Sequence, residues 1–297
     1  MNLHAGIDRL VTAIGGLYGD GAKFFGENTA TPPISDIISQ LDLRFAPPEG
    51  GDEVRIPVSH GAITGTARYR VVHADDTPVE TLIYHHGSGE IDYAARLARV
   101  TPHLVPRSRR VIAVSVPDNE SMRSYVTATR DLHRWTFLLA SSVRLTEELV
   151  AWIRRIDGGG STAGGSTDGH RIVCAGISLG GWVTNLHHAY FDSCDAYRPI
   201  FAGAAPDHLF TDTIYRKMLA RSAGPDAGAA IRRAINFETA FAKRCNENVV
   251  ACMARHDQFV RLDRQRGIYR PGNVRILEKG HITGAMAYRE LAAHLGE

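Results

Sequence analysis

Apolar and polar residues alternate at the start of the ordered pattern. Val54, Ile56 and Val58 recur every second position from Asp52 to Val58, and after His60-Gly61 the series Ile63, Gly65, Ala67, Tyr69, Val71 keeps the same period. Two such runs across a short turn predict an antiparallel hairpin. Shorter, mainly apolar runs follow at Thr81–Tyr84, Arg110–Val116, Arg171–Ala175, Pro199–Ala202, Val249–Ala254 and Val274–Leu277, and each reads as a buried strand. Between them lie helical stretches. The clearest is Asp131 to Ile156, where Leu132, Trp135, Leu139, Val143, Leu149, Ile153 and Ile156 keep near a 3.6-residue period. Strand–helix alternation of this kind predicts an α/β fold: a mostly parallel central sheet of about eight strands with helices on both faces. Residues 1–51 read as a helical, glycine-interrupted lead-in closed by Pro47-Pro48-Glu49-Gly50-Gly51. Residues 207–244 read as two helices hinged at Gly224-Pro225, the first carrying Leu209, Phe210, Ile214 and Met218, the second Ile231, Ile235 and Phe241. The whole chain, 1–297, reads as one domain with the second stretch as a small helical insertion.

Candidate chemistry sits at the ends of the predicted strands. Gly176-Ile177-Ser178-Leu179-Gly180 is a G-x-S-x-G motif that follows the run Arg171–Ala175 and precedes a helix-compatible segment, Trp182 to Tyr190. A serine on a tight strand-to-helix turn needs neighbours without bulk, and the turn lifts its hydroxyl clear of the sheet. Downstream, Asn248–Arg255 runs into His256-Asp257-Gln258, and Asn273–Leu277 runs into Glu278-Lys279-Gly280-His281. Both polar clusters lie past the C-terminal end of a predicted strand, where open α/β sheets place their ligand chemistry. The chain order is Ser178, Asp257, His281.

That order and those flanks resemble the α/β-hydrolase superfamily, in its serine-esterase form, from about Asp52 to the C-terminus. The resemblance implies the α/β-hydrolase fold, with the 207–244 insertion as a cap. It also implies Ser178 as nucleophile in a nucleophile elbow, His281 as base, and Asp257 as the acid that orients it. Asp207 and Glu278 stay open as alternative acids. His85-His86-Gly87-Ser88-Gly89, which follows the run Thr81–Tyr84, is similar to the superfamily's His-Gly loop. By that likeness the oxyanion hole is made by the amides of Ser88 and Leu179. Ser88 stands where the lipase-type loop has glycine, so Gly87, Ser88 and Gly89 all stay candidates for the inward amide. The implied activity is hydrolysis of a small carboxylic ester through a covalent acyl-enzyme, with no cofactor. A thioesterase, peptidase or acyltransferase, and a non-catalytic binding protein, are the rival readings.

Composition narrows the field. Lys+Arg 34 against Asp+Glu 32 gives a formal +2, too balanced to argue for nucleic acid or an anionic membrane. Four cysteines at irregular spacing make no disulfide framework, although a Cys194–Cys245 bond stays open. No stretch of about 18 apolar residues predicts a membrane span, and the N-terminus lacks a basic-then-apolar leader, so the cytoplasm is expected. Self-association into a homo-oligomer is left open. The glycine-rich stretch Gly158–Ser166 closes a helix and precedes a strand, the reverse of a phosphate loop, and reads as a surface connection. Adjacent histidines, His85-His86 and His187-His188, point apart on a strand or helix and lack a ligand-spaced partner, so no metal site is expected. Arg216, Lys217, Arg232, Arg233 and Arg244 make the 207–244 insertion charged and amphipathic, which suits a fixed cap over short-acyl, water-soluble esters more than a lipase lid.

Overall fold

A computed structural model describes residues 2–16, 23–48, 53–157 and 169–297. The glycine-rich stretch Gly158–Ser166 lies outside the described residues. Among the described residues nine strands form one sheet: β1 (Asp42–Leu43), β2 (Val54–His60), β3 (Ile63–Ala74), β4 (Glu80–His85), β5 (Arg109–Ser115), β6 (Arg171–Ile177), β7 (Ala196–Ile200), β8 (Ala251–Ala254) and β9 (Val274–Leu277). Their spatial order is β1-β2-β3-β5-β4-β6-β7-β8-β9. The alternating runs form the expected hairpin, with Val54 opposite Tyr69 and His60 opposite Ile63. From β5 onward across the sheet every pairing is parallel. The short antiparallel edge strand β1 is the one the sequence pattern did not reveal, because two residues carry no period.

The helices are α1 (Leu3–Gly16), α2 (Ile34–Gln40), α3 (Ala95–Val100), α4 (Met122–Thr129), α5 (Leu132–Asp157), α6 (Leu179–Tyr190), α7 (Asp207–Thr211), α8 (Ala227–Ile235), α9 (Glu238–Ala242), α10 (Leu262–Gln265), α11 (His281–Ala285) and α12 (Tyr288–Leu295). Because side chains alternate across a strand, the central strands feed two separate cores. Ile83, Ile112, Val114, Ile172 and Cys174 point into a layer completed by α5 and α6 residues such as Leu139 and Val183. Leu82, Tyr84, Val111, Ala113, Val173 and Ala175 point into the opposite layer with Leu97 of α3 and Leu291 and Leu295 of α12. Both faces are therefore covered, and the strand ends are left free to carry chemistry.

The 207–244 stretch departs from its expected form. Its first part is not one helix. It breaks into α7 and two 3-10 turns, Ile214–Met218 and Arg221–Ala223, because the Thr213 hydroxyl caps the Tyr215 amide and Gly224 takes a positive φ of 81°. The second part holds α8 and the short α9. The segment pairs with the lead-in: the Phe24 amide donates to the Met218 carbonyl at 2.8 Å, and the Ala220 amide to the Phe24 carbonyl at 3.0 Å. Phe24 and Phe25 then pack against Phe210 and Trp135. Among the described residues no helix is long and apolar enough to cross a membrane.

Candidate active site

Ser178 sits between β6 and α6 at φ 55° and ψ −110°, a conformation a non-glycine residue rarely adopts. The surroundings hold it there. The Ser178 amide donates to the Ile200 carbonyl at 2.8 Å, and its carbonyl accepts the Trp182 amide at 3.0 Å. A Cβ on Gly176 would lie 2.3 Å from the Gly180 oxygen, and one on Gly180 would lie 2.2 Å from the His85 oxygen. Gly176 is thus required by the closeness of the turn's two ends and Gly180 by its contact with β4, so the strain at the serine is over-determined by packing.

His281 and Asp257 arrive from the ends of β9 and β8. The nearest carboxylate to the imidazole is Asp257, whose Oδ2 accepts from His281 Nδ1 at 2.7 Å. That donation places the proton on Nδ1 and leaves Nε2 to accept the Ser178 hydroxyl at 3.0 Å. The other oxygen, Asp257 Oδ1, accepts the amides of Phe259 at 2.7 Å and Val260 at 2.8 Å. This turn, from Asp257 to Val260, directs one oxygen back to its own loop and the other to the histidine. Phe201 and Phe259 flank the imidazole, with ring centroids 5.6 and 5.0 Å away. Burial opposes protonation of His281, but the Asp257 carboxylate, and beyond it Asp8, outweigh burial and the opposing Arg96, so its pKa is raised.

The alternative acids are placed elsewhere. Asp207 is buried and accepts from Arg232 Nε at 2.9 Å and Asn236 Nδ2 at 2.8 Å. Glu278 pairs with Arg255 and His256 at the surface. The histidine pairs are absorbed separately: His85 meets Thr146, His187 meets Glu147 and Tyr197, and His188 meets Asn246. His86 holds the oxyanion-loop candidate in shape. Its Nε2 accepts the Val116 amide at 3.3 Å, so Nδ1 donates to the Gly87 carbonyl at 2.7 Å. All four cysteines are free thiols; Cys194 is buried beside His187 and Cys174, whereas Cys245 is exposed.

Ser178, Leu179, Ser88 and His281 share a cavity of about 410 Å³. Its apolar wall is aromatic, with Phe24, Trp135, Trp182, Tyr215 and Phe259. Its polar side carries Glu90 and Arg96, joined at 2.8 Å through Arg96 Nε. The insertion contributes Leu209, Tyr215 and Met218, and α1 contributes Val11 and Thr12. Sequence reasoning missed α1, Phe24 and Trp135 as wall residues. Trp135 fits a core stripe equally well, and nothing in the α1 sequence separates a cavity wall from an ordinary surface helix.

No protein-family model matches the chain, and no curated protein matches it by sequence. Solved structures do match its shape. An acetyl xylan esterase from Paenibacillus sp. R4 superposes at a TM-score of 0.52, with 12% identity over 88% of this chain and 92% of that one. Est1E from Butyrivibrio proteoclasticus, solved with ferulic acid bound, superposes at 0.52, with 15% identity over 78% of this chain and 96% of that one. Pyrococcus horikoshii acylaminoacyl peptidase superposes at 0.50 with 11% identity; the match covers 83% of this chain and only 40% of the peptidase. At such identities the likeness carries the fold and not the substrate. Together with the sheet order and the strand-end position of Ser178, it shows that this chain has the α/β-hydrolase fold.

Proposed function

We propose that the protein is a serine hydrolase that cleaves small carboxylic esters by two-step acyl transfer. The observation that carries this reading is the unbroken hydrogen-bond chain from Ser178 through His281 to Asp257 at the wall of an aromatic cavity. In it, His281 takes the Ser178 proton as the hydroxyl attacks the ester carbonyl. Asp257 holds the Nδ1–H tautomer and stabilises the imidazolium. His281 then protonates the leaving alcohol, activates water, and the acyl-enzyme is cleared.

The oxyanion would be held by the amides of Ser88 and Leu179. Two features support this choice. Leu179 opens α6 directly after the nucleophile. The Gly87 carbonyl is turned onto His86, and in a trans peptide the following amide points the opposite way, which directs the Ser88 N–H away from His86. Two such amides in a dry site contribute roughly 3 kcal/mol each to transition-state stabilisation. The cavity volume is that of a small-molecule pocket and its walls are apolar, which favours a compact acyl group over an extended peptide.

A fluorophosphonate probe tests the reading directly. It should label Ser178, and Ser178→Ala should abolish labelling and lower ester turnover by on the order of 10³-fold or more. In a matched set of short-acyl esters, thioesters and anilides, the esters should give the highest kcat/KM. An unlabelled wild-type protein would leave a non-catalytic binding role standing, and faster anilide or thioester turnover would move the bond class.

A further inference from the structure

We propose that Asp8, on the N-terminal helix α1, is a positioning residue that clamps the acid loop and the histidine loop into register with Ser178. The proposal rests on the serine-hydrolase reading above.

The Asp8 side chain is fully buried, and its contacts run to the far end of the chain. Oδ2 accepts the His281 amide at 2.9 Å and the Gln258 amide at 3.1 Å, and Oδ1 accepts the Ile282 amide at 3.1 Å. One carboxylate therefore binds the backbone of the base itself, of the residue after it, and of the residue next to the acid. These two loops leave different strands and meet directly through the imidazole–carboxylate contact, the His256 amide bond to the Lys279 carbonyl and the Glu278 ion pairs; Asp8 adds a buried bridge next to the acid and the base themselves. A Cβ on Gly280 would lie 2.8 Å from the His4 oxygen and 2.9 Å from Asp8 Oδ2. Only glycine lets the histidine loop approach α1 so closely.

A buried carboxylate is costly unless its oxygens are satisfied, and charge-assisted bonds to amides are among the stronger ones. Removing Asp8 would leave three amides at the two catalytic loops without their acceptor. The chemistry is sensitive to that, because a misplacement of about 1 Å in a relay costs up to about 100-fold in rate. Charge adds a second effect. The groups that face His281 are Asp257 from the loop after β8, Asp8 from α1, Arg96 from α3 and the Ser178 hydroxyl; Arg96 is paired with Glu90. His4 and His256 stack on each other at 6.2 Å where α1 meets the acid loop. Asp8 thus favours the imidazolium that forms as the serine attacks, and Arg96 opposes it.

The test uses the full-length protein with a water-soluble aryl ester. Asp8→Asn should lower kcat by roughly 10- to 100-fold with KM changed by less than about threefold. Its kcat/KM acid limb should move to lower pH, because a neighbouring negative charge has been lost. Asp8→Glu should keep the limb and lose part of kcat, which separates charge from placement. Leu10→Ser, at an exposed position of the same helix, should match wild type. Amide exchange in the wild type needs no variant: the His281 and Ile282 amides should be as protected as those of the central strands. An active wild type whose Asp8→Asn form keeps both kcat and the acid limb, or whose His281 and Ile282 amides exchange at the rate of open loops, overturns the proposal alone. A wild type that neither turns over ester nor labels at Ser178 removes the reading and the proposal together.

Discussion

Asp257 engages both of its carboxylate oxygens, one on its own loop and the other on His281. Asp207, the alternative acid that the strand order also allows, is turned instead onto Arg232 and Asn236. Asp257→Asn should therefore lower kcat by on the order of 10⁴-fold, because the amide holds the wrong imidazole tautomer, while Asp207→Asn should leave kcat within a few-fold. Steady-state kinetics on the two purified variants decides between them, and the reverse ranking would move the acid to the loop after β7. The same contact sets the pH response. His281 must be neutral to accept the serine proton, and its pKa is raised, so kcat/KM should fall as pH drops through a value above about 6.5. The residues of this relay were legible in the sequence because each lies in the short polar stretch just past an apolar strand. Asp8 was not: a single acid in a helix, bonded to amides 250 to 274 positions away, leaves no local pattern.

At the level of elements, the cavity is bounded by pieces whose position is not set by their own sequence. The 3-10 turn Ile214–Met218 brings Tyr215 and Met218 to the cavity, and it is placed there by backbone bonds to Phe24 of the lead-in. Met218 is only partly buried, so its truncation opens space without a large loss of core. We expect Met218→Ala to raise kcat/KM for a longer acyl chain relative to a shorter one by about fourfold per added methylene, at about 0.8 kcal/mol each. Labelling of Ser178 by a small fluorophosphonate should stay near the wild-type rate. A chain-length series measured on both proteins reads this directly, and an unchanged preference would show that Met218 does not bound the acyl site. The strands and the long helix α5 were legible because burial on both faces or on one stripe imposes a period. The insertion was legible as helical and hinged at Gly224-Pro225, but the earlier break was not, since the Thr213 cap on the Tyr215 amide opens a short 3-10 turn that carries no helical period.

For the whole molecule, acid is the condition to which the fold should be most sensitive. Burial pushes His85 and His294 down to about 3, with further lowering at His85 from His187 and at His294 from Arg198. A histidine held neutral in the fold contributes stability that is complete above its unfolded value near 6.5, and that is lost as pH falls from there towards 3. Each should cost up to about 1.4 kcal/mol per pH unit across that window. Neither ring nitrogen of His294 meets a protein partner among the described residues. His294→Leu should therefore hold or raise stability at pH 7 and flatten the loss between pH 6 and 4.5, read as urea midpoints; an unaltered slope would assign the acid sensitivity elsewhere. The sequence by itself determined the layered α/β plan and the order serine, acid, histidine, because strand period, helix period and strand-end polarity are local and repeat within a few residues. Tertiary structure alone decided which acid meets the histidine and where the wall of the cavity runs. It also decided that α1 reaches under the loops that carry Asp257 and His281. Those outcomes depend on which distant surfaces come within about 3 Å, and no local pattern encodes such a meeting.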